Sequence, residues 1–206
     1  DGFGYHQYRY ATENGFMPFI GKNGKEKLAM TSYRPVTNTG LAAVLTGKGP
    51  EQNGVYSHQQ KDLKVPDLFQ KAEELNKRAC YIEGNIKIIN TGLEPFLNPD
   101  FNQNGTTDDE VFNTTLEKIR GGYDLIFTHF HGIDDAGHSY GDMDERVMEV
   151  VKRTDRYIRK FAESWPGRII ITVDHGMHST TEGGDHGQLR FEDMVVPYIE
   201  VEAGVR

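Results

Sequence analysis

The sequence predicts an α/β protein, a three-layer α/β/α sandwich on a mostly parallel central sheet. Three observations predict it. Extended and helical patterns alternate along most of the chain, as βαβ units do. The run RIIITV over 168–173 is continuously apolar and largely β-branched, as strands buried on both faces are. The polar clusters HGIDDAGH and DHGMH each follow a predicted strand, where ligands of open α/β sheets sit.

Taken in order, residues 9–31 show no clear periodicity, and a helix is expected through 40–46. KVPDLFQKAEELNK (64–77) reads as a helix with Pro66 near its start and Leu68, Phe69, Ala72 and Leu75 on one face. ACYIEG (79–84) is a short strand. Residues 86–106 again lack periodicity and read as a small lid, a substrate-facing insertion or an ordinary surface loop. A helix over 107–122 opens with a capping-box pattern, Thr107 with Glu110, and stops at Gly121-Gly122. YDLIFTHF (123–130) is a strand. The helix over 143–164 carries Val147, Val150, Val151, Thr154, Ile158 and Phe161 at helical spacing and ends before Pro166-Gly167. Strands follow at 168–173 and 195–201. The whole of 1–206 is read as a single domain.

Composition narrows the function. The chain has 206 residues, 36% apolar and 26% charged, enough for one sizeable core in a soluble globular protein. A net charge of −8 is the wrong sign for gripping a nucleic-acid duplex through its phosphates. No apolar run approaches a membrane span, and no leader pattern is visible. One cysteine, Cys80, excludes an internal disulfide and fits a reducing, cytoplasmic compartment. The oligomeric state stays open.

The chemistry concentrates in VDHGMHSTTEGGDHG (173–187), which places three histidines and two aspartates on one Gly-rich loop. DDAGHSYG adds Asp134 four residues before His138, with Gly137 expected to allow a tight turn. Mixed Asp and His donors suit zinc or manganese, whereas an all-oxygen set suits magnesium or calcium. Each fragment alone is a weak signal. Three of them, DDAGHSYG, VDHG and GGDHG, each beyond a predicted strand, point to a metal centre.

These segments, with DGFGY (1–5) and PVTNTGLAAVLTGKGPEQNGV (35–55), resemble the successive motifs of the alkaline phosphatase superfamily. The nearest branch is the nucleotide pyrophosphatase/phosphodiesterase-like one. The resemblance runs nearly end to end. It implies an alkaline phosphatase-like fold and two divalent metal ions, zinc before manganese. Asp134, His138 and His186 would hold one ion; Asp1, Asp174 and His175 would hold the other. Thr37 falls at the nucleophile and would also touch metal, with Thr39 as second choice. The implied activity is hydrolysis of a small phosphorylated substrate, a nucleotide or other phosphoester, through a phospho-threonine. A phosphomonoesterase or phosphomutase of the same superfamily, or a non-catalytic metal-binding module, are the alternatives. His58 stands where the branch has an asparagine that hydrogen-bonds a phosphoryl oxygen, so substrate binding is expected of it. No Cys/Ser-x-Pro-x-Arg motif is present, which argues against sulfate ester hydrolysis.

The charges fit this picture. Two divalent ions against three aspartates leave one positive charge, which a Thr37 alkoxide neutralises. Such ions, about 4 Å apart, clamp the attacking and leaving oxygens of an in-line displacement. Asp1 matches an aspartate that ends the family's first central strand, so upstream residues carrying that strand are expected. His178 is expected at the surface or behind the ligands, Asp185 to orient His186, and Asp135 to point elsewhere. His129 and His131 are expected as hydrogen-bonded structural histidines, His6 at the surface or behind the ligands, and Glu83 and Asn85 in ordinary turn chemistry.

Overall fold

A computed structural model describes residues 1–202 and 204. In chain order its elements are α1 (Tyr5–Glu13), α2 (Pro18–Asn23), β1 (Gly24–Met30), α3 (Thr37–Thr46), α4 (Pro50–Asn53), α5 (Leu68–Glu74), β2 (Ala79–Glu83), β3 (Phe96–Leu97), α6 (Asp108–Ile119), β4 (Leu125–Thr128), α7 (Gly132–Tyr140), α8 (Glu145–Ser164), β5 (Ile169–Ile171), β6 (His178–Ser179), β7 (Gly184–Asp185), α9 (Phe191–Met194) and β8 (Val195–Val201).

The fold is α/β with helices on both faces of a parallel sheet, ordered β3-β2-β4. Period-two alternation along β2 explains the layering. Tyr81 points to the face where Leu41 and Leu45 of α3, Phe69 of α5 and Phe127 of β4 pack. Cys80 and Ile82 point the other way, toward Val111 of α6 and Ile126. A second sheet, β1-β8-β5, is antiparallel. The hairpin β6-β7 stands apart from both.

Helix α8 supplies the largest apolar surface. Val147, Met148, Val151, Ile158 and Ala162 are buried against Phe3, Tyr8, Ile133, Val173, Val196 and Ile199. Each such side chain contributes about 1.5–3 kcal/mol, which outweighs the few tenths expected of exposed pairs such as Arg159–Glu163. Asp155 on the same helix is buried and accepts the Phe19 and Ile20 backbone N–H groups at 3.0 and 2.9 Å, capping α2.

Several local expectations change. The 168–173 run forms a strand only at Ile169–Ile171, and Ile170 is 54% exposed, so this strand is covered on one face rather than two. Its partner β8 is antiparallel to it. The capping box at Thr107 does not form, because that residue is already in helical conformation and its side chain makes no cap hydrogen bond. The capping box forms instead at Asp67 with Gln70, starting α5, and Leu75 lies past that helix and is exposed. Within 9–31, α2 and β1 form without periodicity, because β1 is an edge strand whose Leu28 and Met30 stay exposed. Residues 86–106 are anchored to the body: Ile89 is buried beside Leu41, Phe96–Leu97 pairs with β2, and Asn98 donates to the Glu83 carbonyl at 2.9 Å. No helix among the described residues is long and apolar enough to cross a membrane.

Candidate metal centre and active site

The ends of β4 and β5, the start of α3 and helix α7 meet at one place. Helix α7 puts Asp134 and His138 on one face, four residues apart. The tight turn expected at Gly137 is absent. That glycine is helical, and its bare Cα makes room for Met177. Beyond β5 the chain lays Asp174 and His175 against α3. The approach is close enough that a Cβ on Gly40 would collide with the Asp174 carbonyl oxygen. Thr31 fastens that same carbonyl through its hydroxyl.

Two groups of donor atoms gather around His175, each with its atoms within 4.8 Å of one another: Asp1 with Asp174 and His175, and Asp134 with His175 and His186. His175 Nε2 lies 3.1 Å from Asp1 Oδ1, 3.6 Å from Asp174 Oδ2 and 3.2 Å from Thr37 Oγ1. His138 Nε2 lies 3.3 Å from Asp134 Oδ2, and His186 Nε2 lies 3.9 Å from Asp134 Oδ1. His175 and His186 stack at 3.9 Å. Thus His175 stands between the two groups, where the sequence placed it with one ion only, and His138 joins through Asp134.

Thr37 is the first residue of α3, with Val36 at the N-cap, so it opens the helix expected through 40–46. The first N–H groups of a helix lack intrahelical acceptors, and the dipole's positive end lies there. Thr39 is fully buried, which removes the second-choice nucleophile from contact with a substrate. His58 stands exposed in the turn 57–60, whose Gln60 carbonyl accepts from Asn38, the residue after Thr37.

The three histidines share one orientation. His138, His175 and His186 each bring Nδ1 to a backbone carbonyl, of Gly184 at 3.0 Å, Gly176 at 2.9 Å and Pro35 at 3.1 Å. A carbonyl can only accept, so Nδ1 carries a proton and Nε2 is the nitrogen each ring turns inward. The carboxylates facing them are charged. Burial opposes that charge on Asp174, yet His175 and His129 hold its carboxyl well below the usual range. Asp134 is likewise lowered, against burial, by His138, His175 and His186. Burial, aided by His175, lowers His186, whereas the bond to Asp134 raises His138.

Glu83, given a minor role by sequence, turns out differently. Glu83 is fully buried and accepts from the Tyr81 hydroxyl at 2.6 Å and its neighbour's N–H, Gly84, at 2.9 Å. His129 and His131 also reach it, and both face Asp1 as well. The sequence shows a glutamate inside an apolar strand and two histidines at strand period in THFH, but only the pairing of β2 with β4 joins them. His178 is buried rather than superficial, its Nδ1 2.6 Å from Asp193 Oδ1. Asp185 is exposed and accepts the His186 N–H at 2.8 Å. His6 Nε2 meets Asp142 at 2.5 Å. Burial raises Asp135, which joins neither donor group.

Comparison with known proteins gives a consistent answer. Human GPI ethanolamine phosphate transferase 3, catalytic subunit, is 31% identical over 83% of this chain. The chain spans only 17% of that relative's length. Among solved structures, murine ectonucleotide pyrophosphatase/phosphodiesterase 5 in complex with AMP superposes with a TM-score of 0.66 at 18% identity, over 88% of this chain and 56% of that one. Phosphonoacetate hydrolase from Sinorhizobium meliloti 1021 gives 0.66 at 16% identity, over 86% of this chain and 55% of that one. These two likenesses show an alkaline phosphatase-like fold. The profile of type I phosphodiesterase / nucleotide pyrophosphatase matches residues 76–198. With more than half of its length so matched, the chain belongs to the type I phosphodiesterase / nucleotide pyrophosphatase family, a family of phosphoester hydrolases.

Proposed function

We propose that this chain hydrolyses small phosphodiesters or nucleotide pyrophosphates through a phospho-threonine on Thr37, at a centre holding two divalent ions. The carrying observation is the common orientation of His138, His175 and His186, with Nδ1 on carbonyls and Nε2 aimed at aspartates. The donor set fits the ions. Asp1 Oδ1, Asp134 Oδ1 and Asp174 Oδ2 are buried without a hydrogen-bond partner. Such orphan carboxylate oxygens are costly unless a cation meets them. Donors about 2.0–2.1 Å from a tetrahedral ion stand about 3.3 Å from each other, and the separations here run from 3.1 to 3.9 Å.

Asp134, His138 and His186 would hold one ion; Asp1, Thr37, Asp174 and His175 the other, with zinc first and manganese second. Bound there, the ions lower the pKa of a coordinated hydroxyl and offset phosphoryl charge. Thr37 Oγ1, its proton lost to solvent, bonds to phosphorus as the bond to the leaving oxygen breaks, and that oxygen takes up a proton from solvent. The free N–H groups at the start of α3 receive phosphoryl oxygens, and His58 donates to another. Water then cleaves the Oγ1–P bond and restores the threonine.

A panel of chromogenic phosphodiesters and phosphomonoesters, with zinc or manganese supplied, tests this. Diester turnover is expected. Monoester turnover alone would make the chain a phosphatase; metal-replete protein inert on every ester would leave a metal-binding module. A second reading, favoured by the ethanolamine phosphate transferase relative, keeps the same first step and passes the phosphoryl group from Thr37 to an alcohol. Product partition between water and an added alcohol separates the two.

A further inference from the structure

Glu83 has no part in the two-ion site proposed above, yet it organises a third cluster beside it. Its Oε2 lies 3.1 Å from His129 Nδ1, and its Oε1 lies 2.6 Å from His131 Nε2. The opposite nitrogens of the two rings converge on one atom, Asp1 Oδ2: His131 Nδ1 at 3.0 Å and His129 Nε2 at 3.6 Å. Asp1 Oδ1 meanwhile faces His175 at 3.1 Å. The two oxygens of Asp1 thus look in different directions, one into the centre already described and one into a separate pocket of imidazoles.

The hydrogen-bond inventory assigns the protons. Glu83 already accepts from Tyr81 and Gly84, so its oxygens have no proton to give and both histidines must donate to it. Rings held this way turn their opposite nitrogens toward Asp1. His129 is 7% exposed, and its Nε2 is buried with no partner. Two imidazole nitrogens and a carboxylate oxygen gathered out of water are stabilised by a positive charge among them. A carboxylate behind each ring, fixing tautomer and orientation, is the arrangement that supports histidine ligands of metals. The spacings of 3.0 and 3.6 Å bracket the roughly 3.3 Å expected between donors on one tetrahedral ion.

We infer that Asp1 Oδ2, His129 Nε2 and His131 Nδ1 form a third divalent-cation site, with Glu83 as the residue that positions both imidazoles. Two nitrogens and one carboxylate oxygen select a first-row transition ion such as Zn2+ over Mg2+ or Ca2+. Asp1 bridges this ion to its neighbour. The inference shares Asp1 with the proposed two-ion centre but uses ligands of its own.

Zn2+ stoichiometry of the dialysed protein, read by elemental analysis, with anomalous scattering at the zinc edge, tests it. The wild-type protein should bind one ion more than the double variant His129→Gln/His131→Gln, and an anomalous peak should stand beside Asp1 within reach of both rings. Glu83→Gln should weaken that ion by about 10–100-fold while the others stay. Asp134→Asn should cost a different ion and leave this peak in place. A wild-type crystal with peaks only at the Asp134 and Asp174 groups would overturn the inference and leave the two-ion reading intact. A peak at His129 and His131 alone would support it while sinking that reading. The wild-type crystal decides even where a variant fails to fold.

Discussion

His175 Nε2 lies 3.2 Å from Thr37 Oγ1, joining the loop after β5 to the first residue of α3 across most of the chain. The same nitrogen faces Asp1. A hydroxyl so placed meets an imidazole nitrogen and the positive end of a helix at once. If Thr37 is the nucleophile, Thr37→Ala removes the bond-forming atom and nothing that holds the fold. Turnover is expected to fall by about 10^3-fold or more, roughly 4 kcal/mol of transition-state stabilisation, with metal content unchanged by elemental analysis. Residual turnover within tenfold of wild type would exclude Thr37.

Removing metal should be read in stability as well as activity. Asp1, Asp134 and Asp174 each carry a buried, unpartnered oxygen, so the ion-free centre holds uncompensated negative charge. A ligand at 100 times its Kd stabilises the folded state by about 2.7 kcal/mol, which for a domain of this size is a Tm shift of roughly 5–10 °C. Chelation is expected to lower Tm by that amount, and zinc to restore it, in differential scanning calorimetry. An unchanged Tm would mean the centre binds no ion tightly.

His58 separates binding from folding. Its ring is exposed, so His58→Ala should leave stability within about 0.5 kcal/mol of wild type. If it donates to a phosphoryl oxygen, KM for the ester should rise several-fold in steady-state kinetics. An unchanged KM would remove it from the site.

The main motifs were legible because they are local: Asp134 and His138 sit four apart on a helix, and Asp174 and His175 follow a strand. The strands β2 and β8 and the helix α8 were legible for a related reason, since their apolar spacing is that of the surface they bury. Glu83 was not. Its role depends on β2 and β4 pairing in parallel, which brings it level with His129 and His131, and nothing near Glu83 in sequence records that register. The edge strand β1 escaped notice because Leu28 and Met30 are exposed, so no alternation marks it. The shared position of His175 is likewise a product of packing, set by how close Gly40 lets α3 approach.

Acid stability should depend on Asp142. Its Oδ2 meets His6, its Oδ1 accepts from Ser179, and its carbonyl accepts from Gln7 at 2.9 Å, so it ties α1 to β6. Burial opposes its charge, but His6 and Ser179 hold the carboxyl below the usual range. A carboxyl depressed in the folded state stabilises the fold above its unfolded pKa, about 3.9, and that contribution is lost as pH falls through the lower folded value. Denaturant midpoints should therefore drop below about pH 4 more steeply in the wild type than in Asp142→Asn, which is less stable at pH 7. Parallel curves for the two proteins would show that Asp142 is not a source of the pH dependence.

Gly40→Ala tests whether the approach of α3 to the Asp174 loop builds the site. Alanine in place of glycine within a helix gains up to about 1 kcal/mol of propensity, which alone predicts a more stable protein. Here the added Cβ would strike the Asp174 carbonyl, a backbone atom that Thr31 also holds and that cannot swing aside as a side-chain tip would. Overpacking of this kind costs about 1–3 kcal/mol, so the clash wins and net destabilisation is expected in urea unfolding. The displaced backbone carries Asp174 and His175, so zinc affinity should fall with stability, measured by calorimetric titration. A variant that is destabilised yet binds zinc as the wild type does would show that the ligands are held independently of this contact. One stabilised by the full propensity gain would show that the two segments are not so closely packed in solution.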